Sequence, residues 1–402
     1  MESKKTGWRS LPRNVWVLTA GSFLTDISSE MIVNLIPLFL ANVLGVGTAV
    51  IGLIEGVAET TASLVKLYSG GLSDKLGKRK LLVVTGYGLS TISKPFLYFA
   101  TTWEWVLGVR FMDRVGKGIR TAPRDALVAD SINEKQRGLA FGVHRAGDTA
   151  GAFVGLAAAA VIVWMNQGSA ATLTRATFQT AVLISFIPAL LAVIVLWLGV
   201  HEIPGPGGGK APVLSFQGLD EIFKKFILVI ILFTLGNSSD AFIILRSQER
   251  GLDVLQVMAM VLTFNFVYAV LAGPLGGLSD KIGRRKLIIA GWAAYGLVYL
   301  GIALSQTGGQ VWALFALYGV YYAATEGAAK ALIADLVPSE KRGTAYGLYN
   351  AAIGIVALPA SLIAGVLWQG VGAWAGLGAS APFYFGAALA LASSLLLWRW
   401  VR

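Results

Sequence analysis

The chain has 402 residues, 55% of them hydrophobic and only 14% charged, with 48 glycines, 12 tryptophans and no cysteine. A soluble domain needs about a quarter of its residues charged to keep its surface in water, so the composition excludes that class and points to a bilayer as solvent. Lack of cysteine excludes disulfides and thiolate chemistry. The net charge of +11 falls in short repeated turns, which reads as a topology signal and not as a nucleic-acid face.

Apolar runs predict twelve spanning helices, an all-α membrane protein of two pseudo-symmetric six-helix bundles. The first runs from about Val15 to Leu40, and its polar flank without a small-residue cleavage site marks it as a retained helix. The second ends near Gly70, and the third covers about Leu81 to Phe99. The fourth starts near Trp103 and stops being apolar by Arg120, and Pro123 predicts a kink or break there. Helices five and six cover about Gly138–Trp164 and Phe178–Val200. A Pro/Gly-rich linker over 201–221 separates the bundles 1–200 and 222–402. Helices seven to nine follow at about Phe226–Leu245, Val254–Leu275 and Leu287–Leu304. The last three lie at about Val311–Ile333, Gly343–Leu367 and Pro382–Trp400.

The two halves repeat each other. GGLSDKLGKRK at Gly70–Lys80 returns as GGLSDKIGRRK at Gly276–Lys286, an offset of 206. The stretch Ala126–Gly142 returns at Ala331–Gly347 with an offset of 205, and Ser28-Ser29-Glu30 is echoed by Ser238-Ser239-Asp240. Such recurrence implies a duplicated fold. In each turn the glycines permit unusual dihedrals and close backbone approach, while Asp74 and Asp280 are placed to cap a helix or accept hydrogen bonds from one. Basic residues concentrate in the N-terminal tail, the linker and the loops after even-numbered helices. Arg175, Arg246 and Arg250 are the exceptions on the other side. This bias places both termini and the linker in the cytoplasm.

Twelve spans, a central linker and paired Gly-x-Leu-x-Asp-x-x-Gly-basic-basic turns resemble the major facilitator superfamily. The resemblance covers nearly the whole chain and implies secondary active transport by alternating access, with the halves rocking about a central site. It assigns the gate to Gly70, Asp74, Gly77, Lys78 and Arg79 and to the second copy Gly276, Asp280, Gly283, Arg284 and Arg285. Arg120 and Arg124, beside Pro123, are either part of a gate latch or contacts for lipid phosphates. Arg110 matches the family's helix-four arginine, but Asp113 and Arg114 stand where Gln-Gly is more usual, and Ala152 where exporters tend to have proline.

Ionisable side chains inside a membrane are costly and mark function. Asp26, Glu30, Glu55, Glu59, His144 and Asp148 are candidates for proton coupling. Arg110, Asp113, Arg114 and Arg145 form a charged substrate-binding set in the first half. The drier second half offers Asn237, Asp240, Asn265, Tyr318, Tyr322, Glu326 and Asn350. The alternative is that these groups pair and lock the bundle, as the spacing of Glu326 and Lys330 suggests.

The leading expectation is therefore a monomeric bacterial plasma-membrane exporter of an amphipathic small molecule, driven by the proton gradient, with no cofactor or metal and with lipid as its surroundings. Uptake or exchange of a carboxylated or phosphorylated organic anion is the alternative, and a lysolipid a third. No enzyme motif such as HExxH or a phosphate loop occurs. An enzyme, a receptor and a channel are all disfavoured.

Overall fold

The computed structural model describes residues 10–133, 136–203, 215–338 and 341–401, with the side chain of Asp280 excepted. Most of the linker, the N-terminal basic tail and Lys135 therefore lie outside the described residues, as does the side chain of the expected gate residue Asp280. Twelve helical segments are seen among the described residues. The first six are α1 (Arg13–Val33), α2 (Thr48–Leu76), α3 (Lys80–Ser93), α4 (Trp103–Asp130), α5 (Arg137–Gln167) and α6 (Arg175–Gly199). Then come α7 in two pieces (Glu221–Gly236 and Ala241–Glu249), α8 (Val254–Ile282), α9 (Arg284–Leu304), α10 (Gly308–Leu336), α11 (Arg342–Gln369) and α12 (Ala381–Trp400). Nine of these segments among the described residues are long and apolar enough to cross a membrane. The other three are α3, which tightens into a 3₁₀ turn over Lys94–Phe99, the charge-rich α4 and the tyrosine-rich α10.

Two spans differ from the continuous helices expected. Helix α1 ends at Val33, and the chain continues through Ile36–Leu38 and a wider π turn over Phe39–Val43. Pro37 is the cause, because it lacks an N–H and restricts Ile36. Helix α7 breaks over Asn237–Asp240, where Ser, Asn and Asp side chains offer the backbone other partners. The Ser239 hydroxyl accepts from the Ala241 N–H at 3.3 Å, and the Ser239 N–H donates to Ser361 Oγ at 3.3 Å. Conversely, of the kink or break expected at Pro123, the break does not occur. Helix α4 runs through it to Asp130, and its proline side is buried against neighbours.

The chain forms two compact units. One comprises Met1–Leu35, Thr61–Ile162 and Arg175–Ala211; the other comprises Ile36–Thr60, Val163–Thr174 and Pro212–Arg402. In the first, α1 meets α5 along glycines four residues apart. A Cβ on Gly151 would lie 2.4 Å from the Phe23 carbonyl oxygen, and one on Gly155 2.4 Å from that of Ile27. Gly86 and Gly116 bring α3 and α4 equally close, each position 2.6–2.7 Å from the other helix's backbone oxygen. Small residues permit this approach where lipid supplies no hydrophobic drive between helices. In the second unit, the start of α2 lies on α11. Thr60 Oγ1 donates to the Gly354 carbonyl at 2.6 Å, and Gly52 presses on Ser361 and Phe242.

Candidate functional site

The two basic turns are built differently. Gly77 and Gly283 adopt positive φ of 61° and 94°, as their turns require, whereas Gly70 and Gly276 lie inside helices and need no such freedom. Asp74 lies within α2 and does not cap the next helix; its carboxylate accepts from Arg79 Nη2 of its own loop at 3.4 Å. The end of α3 is closed by Glu202, whose two oxygens accept from the Arg79 and Lys80 backbone N–H groups at 2.8 and 2.9 Å. A carboxylate there satisfies free donors and the helix dipole together. Arg79 also pairs with Asp130. In the second copy Arg284 pairs with Asp335, the counterpart of Asp130 at an offset of 205, and Arg285 donates to the Trp398 carbonyl. Lys78 is an exposed member of the first turn.

In the first unit, the α1 stripe Asp26–Glu30–Asn34 holds together through Asn34 Nδ2, which donates to Glu30 Oε2 at 3.0 Å. Arg110 and Arg114 are buried on α4, with Arg114 Nε 3.8 Å from Asp113 Oδ2. His144 is buried, and its Nδ1 lies 3.2 Å from Asp148 Oδ1, while Arg145 is exposed on the adjoining face. Arg120 and Arg124, expected at a basic helix end, instead turn into the bundle. Arg120 Nη1 donates to Ser90 Oγ at 2.7 Å and its guanidinium carbon stands 4.4 Å over the Tyr87 ring. Arg124 Nη1 donates to Ser22 Oγ at 3.0 Å, and its Nη2 pairs with Asp125 at 2.8 Å. The burial of the apolar face of α4 carries these arginines inward with it.

Lys94 escapes sequence reading, because one lysine before a proline at the end of an apolar run resembles an interfacial residue. Its ammonium is buried and donates to Ser28 Oγ at 2.6 Å and Ser29 Oγ at 3.1 Å.

The second unit is aromatic. At the α7 break, Asp240 Oδ1 accepts from the Tyr318 hydroxyl at 3.1 Å, and Asn237 Oδ1 accepts from those of Tyr295 and Tyr318 at 3.3 and 3.4 Å. Tyr318 stacks against Phe315, with Phe264 and Tyr322 at 5.6 and 5.3 Å between ring centroids. Edge-to-face and offset pairs of this kind add about 0.5–1.5 kcal/mol each beyond burial. Glu55, buried, and Glu59, exposed, also belong to this unit and lie within electrostatic reach of Asp240, apart from the other expected proton carriers. Glu326 accepts from the Tyr268 hydroxyl and pairs with Lys330 at 3.2 Å, the internal pairing its spacing predicts. Asn265 and Asn350 spend their amide donors on their own helices, bonding to the Val261 and Tyr346 carbonyls at 3.0 and 2.8 Å. No group of His, Cys, Asp and Glu suited to a metal occurs among the described residues.

Helices of membrane length, duplicated basic turns and buried charge on several spans define a polytopic membrane protein. The chain belongs to the major facilitator superfamily, whose family model matches residues 18–245 and again 226–402. It is 38% identical over 396 residues to an uncharacterized MFS-type transporter of Methanocaldococcus jannaschii, covering 97% of this chain and 95% of the relative. It is 23% identical over 344 residues to the multi-drug resistance efflux pump PmrA of Streptococcus pneumoniae, covering 82% of each. Among solved structures, the nucleoside transporter NupG superposes with a TM-score of 0.77 at 12% identity, covering 97% of this chain and 100% of that one. A bacterial homolog of the human lysosomal transporter Spinster, inward-facing and unoccupied, superposes with a TM-score of 0.71 at 16% identity, covering 97% and 96%. These structural likenesses concern the fold.

Proposed function

We propose that this transporter exports an amphipathic small molecule in exchange for protons, by alternating access of the halves 1–200 and 222–402 joined by the linker 201–221. The observation that carries the reading is Asp240, a carboxylate at a helix break, accepting from Tyr318 within a wall of tyrosines. Such a wall suits an apolar, aromatic body, and the carboxylate beside it suits a proton or a polar end. Similarity to proteins named multidrug efflux pumps supports export. Asp26, Glu30, Glu55, Glu59, His144 and Asp148 are the proposed proton-coupling set. Arg110, Asp113, Arg114 and Arg145, with the second-unit residues around Asp240, are the proposed substrate contacts. The paired basic turns form the proposed gate. The basic bias of the tail, linker and even-numbered loops supports a plasma-membrane location with these parts in the cytoplasm, and the protein acts as a monomer.

Proteoliposomes with an imposed pH gradient test this. Gradient-driven loss of an amphipathic dye is expected, and it becomes independent of the gradient in Glu30→Gln or Asp148→Asn. Wild-type pH dependence in both variants removes those residues as carriers. Exchange of an organic anion is the second reading, favoured by the buried basic groups of α3 and α4. Accumulation of a carboxylate or phosphate ester with its proton would put that reading first.

A further inference from the structure

In the first unit, one buried cation keeps a hydrogen-bond donor unspent. The Lys94 ammonium has three N–H donors and no acceptor, and its hydrogen bonds go to two serine hydroxyls, at 2.6 Å (Ser28) and 3.1 Å (Ser29). Its third N–H makes no hydrogen bond, and no carboxylate stands within ion-pair distance of it among the described residues. Each serine accepts from the lysine, and neither hydroxyl donates to any described group. Three hydrogens are therefore left unspent within this cluster, two on O–H groups and one on N⁺–H. Ser28 and Lys94 are both more than nine-tenths buried, while Ser29 is half-buried and opens the group on one side.

Charges of both signs surround the point. Arg114 and Arg120 lie near enough to act on Lys94 electrostatically, as do the carboxylates Asp26 and Asp113. Asp113 is already engaged with Arg114. Glu30, also on α1, accepts from Asn34. A buried cation without a contacting counter-ion is expensive, so the arrangement is suited to an anion that arrives from outside. The other half supplies an internal contrast. An offset of 205 sets Tyr299 at the place of Lys94, and its hydroxyl lies beside Ser238, which echoes Ser28 at an offset of 210.

We infer that Lys94, Ser28 and Ser29 form an oxyanion site that takes the carboxylate or phosphate group of a small organic anion. Carboxylate and phosphate oxygens both accept charge-assisted bonds from an ammonium with hydroxyl support. The inference rests on reading this chain as a small-molecule transporter, but it requires neither proton coupling nor a direction of transport.

The test uses the full-length protein in phosphatidylcholine nanodiscs, without any gradient, and follows binding by calorimetry. The probes are benzoate, phenyl phosphate and phenyltrimethylammonium, which share one ring and differ in headgroup. Saturable binding of one or both oxyanions and none of the cation is expected. The tighter of the two anions identifies the headgroup as carboxylate or phosphate. Lys94→Met weakens that binding about tenfold or more, as befits a lost charged hydrogen bond, and the Ser28→Ala/Ser29→Ala double variant, which keeps the charge, weakens it by several fold. The inference is overturned by three results: no saturable binding of either oxyanion, preference for the cation, or unchanged anion affinity in Lys94→Met. If Lys94→Met does not yield monodisperse protein, unchanged affinity in the double alanine variant overturns it equally. Anion binding without gradient-driven flux would sink the proton-exchange reading alone. Gradient-driven dye export with no oxyanion binding would sink the site alone.

Discussion

Replacing Arg120 by lysine separates a packing role from a gating one. The guanidinium is 6% exposed, gives a 2.7 Å bond to Ser90 Oγ and covers the Tyr87 ring at 4.4 Å. Ser90 Oγ in turn donates to the Asp113 carbonyl at 3.0 Å, so one planar group ties α3 to α4 where Gly86 and Gly116 touch. Lysine keeps the charge, and therefore most of the burial cost, but its compact ammonium cannot meet a hydroxyl and an aromatic face with one flat fork. A charged hydrogen bond is worth about 1.5–3 kcal/mol, and a partly desolvated cation–π contact about 0.5–2 kcal/mol. Losing one of the two leaves Arg120→Lys about 1–3 kcal/mol less stable. At about 2–4 °C per kcal/mol, thermal unfolding in detergent, followed by tryptophan fluorescence, should fall by about 2–12 °C. Arg120→Met removes the buried charge as well as both contacts, and so should melt no lower than the lysine variant. An Arg120→Lys protein that melts within about 1 °C of wild type, yet transports differently, would refute the packing account and return Arg120 to the gate.

Other substitutions probe other joints. Glu202→Ala should lower stability by about 1 kcal/mol through loss of the cap on α3, visible as faster hydrogen exchange at Arg79 and Lys80. Gly151→Leu forces a side chain into the α1 backbone and should cost about 1–3 kcal/mol or more. Gly142→Leu on the same helix, where a Cβ has open space, should be tolerated in the same melting assay. Arg246, 1% exposed and bonded to Glu249, the Ala303 carbonyl and Ser380, should lose about 3–5 kcal/mol as Arg246→Ala, because a cavity opens and the buried Ala303 carbonyl loses its charged donor. Tyr318→Phe frees Asp240 of one donor and should alter transport with melting changed by less than about 1.5 kcal/mol.

Much of the architecture is legible in the chain because lipid imposes it. A span must be long and apolar, and duplicated turns with their basic tails repeat at almost constant offset. What escapes the sequence is the direction in which a polar group turns. Arg246 reads as a breach of the charge bias, yet it is a buried clamp between α9 and α12, and burial removes it from any count of loop charges. Arg120 and Arg124 read as a surface latch because they follow the last apolar residues of α4, whereas the bundle extends to cover them. Both helix interruptions had visible causes, in Pro37 and in Asn237–Asp240, but hydropathy averages over such short features. Lys94 shows the converse: a single charge in an apolar run says little until its partners are known to be two hydroxyls. Glu55 and Glu59 were grouped with Asp26 and Glu30 by charge, and packing instead sets them with Asp240.

The cap that Glu202 provides has a use for anyone dissecting the protein. Because the chain just beyond α6 folds back to cap the start of α3, residues up to Ile203 are part of the first bundle's masonry. Separate expression of the halves, or insertion of a reporter, should therefore cut after Ile203. A cut two residues earlier removes the keystone and leaves the basic turn with its backbone donors bare.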